Sequence, residues 1–197
     1  MKFRKPLLAA LLLLPALTSA QTPKLNLTCR YYSTRELRKR QQIERLAARY
    51  DLTKYTITRD ILIEERVFSH ALPTLTLNLM FLDNDDRALG VYLHEQAHRL
   101  LHDRHPGKAK DMPAELKRMY PDLKFEPEGR EANERGSYIH LAVIMLEWQA
   151  LEDLIGVERA QSVMKYGRQH YYKELFATVI DNRKQMEDFL KRSDVKW

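Results

Sequence analysis

Residues 94–98 read His94-Glu95-Gln96-Ala97-His98. On a helix the two imidazoles of such a pentapeptide lie four positions apart on one face. They can grip one Zn²⁺ there, with the Glu95 carboxylate beside them to move a proton. Nothing in the surrounding stretch forbids a helix: Asp85 to Asp103 contains one glycine and no proline. Asn84-Asp85-Asp86 offers capping and acidic groups suited to a helix N-terminus. Val91, Ala97, Leu100 and Leu101 supply apolar positions that would turn the histidines along a buried flank.

Two histidines do not complete a catalytic zinc site, which takes three protein ligands and leaves one position for water. The third is sought in a later apolar stretch, where His140 and Glu147 stand seven residues apart. At that spacing they share a helix face with Val143, Ile144 and Leu151. Polar groups on an apolar stripe need partners. Their α-carbons would be roughly 10 Å apart along the axis, so one should ligate and the other support. His140 is the preferred ligand, which would leave Glu147 to accept a hydrogen bond from a ligand imidazole and fix its tautomer. Glu147 as the ligand stays open as the alternative. His102 and His105 are poor ligands, since His102 lies one more turn along the same helix and points away from a centre held by His94 and His98.

The elements that must position these groups fall into two halves. Ser33-Thr34 can cap a helix running to about Tyr50, with Leu37, Ile43, Leu46 and Ala47 on one side. Tyr55–Thr58 and Ile61–Ile63 are β-branched and apolar, and Leu75 to Phe81 alternates leucine with Thr and Asn, so strands cluster before the metal helix. After His105-Pro106-Gly107, a short helix is expected over Pro113 to Met119, ended by Tyr120-Pro121, with a polar loop from Asp122 to Gly129. A long apolar helix should run from Ser137 to about Leu154 and stop at Gly156, with two more helices to near Lys191. The expected fold class is therefore α+β: a small antiparallel sheet packed on the metal helix, and a mostly helical C-terminal half.

Residues 1–20 read as a secretory signal peptide. Lys2, Arg4 and Lys5 form a basic start, Leu7 to Leu17 an apolar run, and Thr18-Ser19-Ala20 a small-residue cleavage site. The remaining 177 of the 197 residues, 21–197, suit a single domain able to bury its own core. No other apolar run approaches membrane-spanning length, so a secreted or periplasmic protein without stable membrane insertion is expected. The net charge of +6 drops to +3 without the three basic residues of the signal, because that segment holds no acidic residue. Nucleic acid is not an expected partner: Arg35, Arg38, Lys39 and Arg40 read as a solvated helix face. Cys29 is the only cysteine, which excludes an intramolecular disulfide.

The pentapeptide resembles the signature of the zincin metallopeptidase superfamily. The metzincin extension needs Gly and His where this chain has Leu101 and Arg104, so the resemblance is to the gluzincins, whose third ligand is a glutamate on a later helix. Glu131, in Gly-Arg-Glu-Ala-Asn-Glu, resembles a ligand segment of some small gluzincins and is a third candidate. Residues Ser137 to Gly156 also look like part of a group of exported bacterial proteins that pair an H-E-x-x-H helix with a later His-Leu-x-Val-x-x-Leu-Glu helix. That likeness runs from about Leu75 to Thr178.

The resemblance implies a zinc peptidase acting on a peptide or protein substrate, with Glu95 as general base and a His or Tyr aimed at the oxyanion. His170 is the first candidate for that last role, ahead of Tyr171 and Tyr172. An amidase acting on cell-wall peptides would use the same groups. A binding or chaperone-like protein on the same fold is the remaining alternative, against which Glu95 speaks, because a site that only holds metal has no need of a carboxylate there.

Overall fold

The computed structural model describes residues 24–124 and 134–197. The segment 1–20 and Glu131 lie outside the described residues. The chain is α+β: a three-stranded sheet made by β1 (Asn26–Cys29), β2 (Asp60–Ile63) and β3 (Leu75–Leu77), followed by a helical bulk.

The strands are parallel, in the order β1-β2-β3, which corrects the expected antiparallel sheet. The reason lies in the connection. Helix α1 (Thr34–Arg49) carries the chain back between β1 and β2, and a helical return brings the next strand in pointing the same way. Residues 64–74 make the second return, and the antiparallel contact here is an isolated bridge between His70 and Thr76 on the outer edge of β3. β1 itself was not anticipated, and Tyr55–Thr58 is no strand: Thr53–Tyr55 forms a 3₁₀ turn instead. β3 stops at Leu77, short of the expected Phe81.

Ser33 caps α1 through its hydroxyl, which accepts from the Glu36 amide at 3.2 Å. Asn84 does the same for α2 (Asp85–Arg104), accepting from the Arg87 amide at 2.9 Å. α2 is held to the sheet side by the buried Gln96, whose Oε1 accepts from the Ile57 and Thr58 amides and whose Nε2 donates to the Thr58 carbonyl at 2.8 Å. Gln96 thereby anchors one face of the pentapeptide and leaves the opposite face to the histidines.

α3 spans Pro106–Met119, starting earlier than expected because Pro106 takes the first helical position, where its missing N–H is no loss. α4 (Glu134–Ile155) is the central helix, with Leu141 through Leu146 wholly buried. It packs against α2, α3, α5 (Val157–His170), α6 (Lys173–Asp181) and α7 (Arg183–Arg192), so three helices, not two, follow Gly156. A helix apolar all round is stable only when other elements cover every face, and that is how α4 is placed. The bundle holds Leu89, Leu93 and Leu100 of α2 in one core with α4.

Candidate metal centre

One turn of α2 and the first half of α4 bring three imidazoles together. One ring nitrogen each from His94, His98 and His140 lies within 4.8 Å of the other two. The ring centroids form a triangle of 5.0 Å (His94 to His98), 5.3 Å (His94 to His140) and 4.6 Å (His98 to His140). The Nε2 atoms of His98 and His140 are 3.2 Å apart.

What lies behind the rings fixes which nitrogen faces inward. His94 Nδ1 meets Glu147 Oε2 at 2.9 Å, and His140 Nδ1 meets the Gly136 carbonyl at 2.9 Å. A carbonyl can only accept, so His140 carries its proton on Nδ1 and its lone pair on Nε2. Ionised Glu147 has the same effect on His94, and a cation held by the imidazoles would favour that ionised form. Two basic nitrogens are thus aimed at a common point with a third imidazole, an arrangement that fits a cation with nitrogen preference. The donor set could hold a metal ion, and it does not by itself select the metal.

Glu147 stands seven residues from His140 on α4, but its carboxylate backs His94 and is not part of the trio. Burial pushes its carboxyl up to about 8, and the neighbouring His140 works the other way. Gly90 sits on α2 opposite Glu147, where a Cβ would stand a tight 3.0 Å from Glu147 Oε1 and 3.2 Å from Val163 Cγ1.

Glu95 is 6 % exposed and lines, with the three histidines, a cavity of about 740 Å³ between α2, α4, α5 and the loops around Phe68 and Phe81. His170 also lines this cavity but stacks on Tyr166, with ring centroids 4.2 Å apart. Tyr172 is the aromatic residue against the trio, its ring 5.1 Å from that of His140. It reaches there because its backbone is left-handed (φ 44°, ψ 45°), reversing the chain between α5 and α6. Tyr171, at 40 % exposure, faces Phe81 and Tyr166 instead.

No family model, curated protein or solved structure matches this chain in comparison. The site therefore stands on its own geometry. His102 pairs with its neighbour Asp103 at 2.7 Å, and His105 ends α2, where burial and Lys108 lower its basicity.

Sequence reasoning missed two contributors. The Gly136 carbonyl is invisible as a signal because any residue supplies one. Arg87 was legible: it precedes His94 by seven residues and so shares its face, and it lines the same cavity.

Proposed function

We propose that this chain is an exported zinc-dependent peptidase with a zincin-like arrangement of its catalytic groups. The observation that supports it most is the convergence of His94, His98 and His140 beside a buried Glu95 at the wall of an open cavity. Zinc held by the three imidazoles would supply a Lewis acid that acidifies water and polarises an amide carbonyl.

The chain's own residues account for the rest. Glu147 and the Gly136 carbonyl hold the His94 and His140 rings in one tautomer, so that each presents Nε2. Glu95 takes a proton from the attacking water and returns it to the leaving amine. The Tyr172 hydroxyl donates a hydrogen bond to the carbonyl oxygen as charge builds on it. The cavity walls, among them Phe68, Leu72, Met80 and Phe81, exclude bulk water and receive an apolar segment of substrate. Export rests on the sequence pattern of residues 1–20.

The test is metal content and turnover on one preparation. Mature protein purified without added metal should carry about one zinc per chain and cleave a denatured protein substrate. Glu95→Gln should keep the metal and lose activity by roughly 10²- to 10⁴-fold, the usual worth of a general base. Hydrolysis unchanged by Glu95→Gln would remove the assignment. A chain that takes up no zinc would favour the binding-protein alternative.

A further inference from the structure

Three acidic residues stand at the head of α2, and each is engaged by an arginine from another element: Asp83 with Arg38, Asp85 with Arg45 and Asp86 with Arg159. Arg87 is left out of this pairing. Among the described residues no carboxylate lies within ion-pair distance of its guanidinium. Its guanidinium lies against ring faces, 3.4 Å from the Tyr166 centroid and 5.9 Å from that of Phe81, and near enough to the Tyr171 phenol to act on it electrostatically. A cation in the first turn of a helix also opposes the helix dipole, and the stacking on Tyr166 is what offsets that here.

Stacking on Tyr166 occupies the flat face of the guanidinium and leaves its in-plane N–H donors at the edge. Arg87 lines the cavity that holds the histidine trio. The carboxylates lining that cavity, Glu95 and Glu147, belong to the metal end, whereas Arg87 lies seven residues before His94, about 10 Å along the helix axis. An extended peptide rises roughly 3.3 Å per residue, so a separation of that order along the helix corresponds to a few residues of substrate.

We propose that Arg87 is a specificity-determining residue that binds a carboxylate of the substrate, a few residues from the bond to be cleaved. A planar guanidinium held on an aromatic ring suits the two oxygens of a carboxylate. The group has two sources, the free C-terminus of a peptide or an Asp or Glu side chain, and both present the same anion. This inference rests on the peptidase reading for what happens at the other end of the cavity.

The experiment uses zinc-loaded mature protein carrying Glu95→Gln, which binds without turning over, with Arg87 intact or changed to Gln or Lys. The probe is a hexapeptide of Ala and Leu with an uncharged N-terminal dansyl label, in three forms: free C-terminal acid, C-terminal amide, and amide with one Asp. With Arg87 present, at least one carboxylate form should bind about tenfold or more tighter than the plain amide, the usual worth of a charge-assisted hydrogen bond. Arg87→Gln should abolish that preference and Arg87→Lys restore part of it.

Preference for the free acid identifies the C-terminus as the source, and preference for the Asp form identifies the side chain. Equal binding of all three forms, no binding of any, or a preference that survives Arg87→Gln overturns the proposal. Incubating the same peptides with protein that retains Glu95 separates the two claims. Arg87-dependent binding without cleavage keeps the carboxylate site and discards the hydrolase. Cleavage indifferent to the carboxylate does the reverse.

Discussion

Helix α1 buries Glu36, Lys39 and Gln42, while α2 and α4 bury Glu95, His140 and Glu147, with His94 and His98 half-buried beside them. On α1 the buried groups are used up by loop backbone. Glu36 accepts from the Tyr31 and Glu65 amides, Lys39 Nζ donates to Gln42 Oε1 at 3.1 Å and to the Met80 carbonyl at 2.8 Å, and Gln42 Nε2 donates to the Phe81 and Leu82 carbonyls. On α2 and α4 Glu147 and a backbone carbonyl take the outer nitrogens of His94 and His140, and the ring nitrogens of the three histidines come together beside a cavity. Burial of polar groups is common to both regions. The direction of their remaining donors and acceptors separates a brace from a site.

The two regions are connected all the same, since the loop that α1 holds includes Met80 and Phe81, which line the cavity.

Substitutions ordered by their effect on metal binding test this contrast. The largest effect is expected from His140→Ala, and equally His98→Ala: either leaves two imidazoles where three are needed, and stoichiometric zinc should be lost from purified protein, measured by mass spectrometry. Glu147→Gln should keep the metal but weaken it by roughly 10- to 100-fold, as loss of a partner behind a ligand imidazole does. Competition with a chromogenic chelator reads this directly, and an unchanged affinity would reduce Glu147 to a packing role.

Lys39→Met should leave zinc affinity unchanged and act on stability alone, by no more than about 2 kcal/mol, because it deprives Gln42 and the Met80 carbonyl of a donor while removing a buried charge. Its signature is pH dependence. Burial lowers the Lys39 pKa from 10.5 to about 8, so between those values the unfolded chain binds the proton that the folded one has released. Stability therefore rises with pH from about 8 to 10.5 through this group. Denaturant titrations across that window should show the rise in the parent protein and its loss in Lys39→Met. Loss of zinc in Lys39→Met would dissolve the distinction between the two regions.

Much of the α2 site was legible because a helix is a local object. Its period puts His94 and His98 on one face and makes Arg87 their neighbour on that face, whatever packs against them. The same rule set His140 and Glu147 on a shared face of α4, and the apolar run around them announced a central helix. The sheet was less legible. Strand direction is set by how the chain returns between strands, and β1, four residues with two of them exposed, carries too weak a pattern to be seen alone.

The sequence by itself determined which residues can do chemistry and how they are spaced along each helix, since the repeating i to i−4 hydrogen bond dictates that spacing. Tertiary structure decided which of them meet. Whether His140 or Glu147 joins His94 and His98 depends on how far α4 slides along α2, and here that offset brings His140 to the pair and puts Glu147 behind His94, close to Gly90. The approach of Tyr172, ahead of His170, depends likewise on one left-handed residue between α5 and α6. Both are contacts between residues distant in the chain, which no local periodicity encodes.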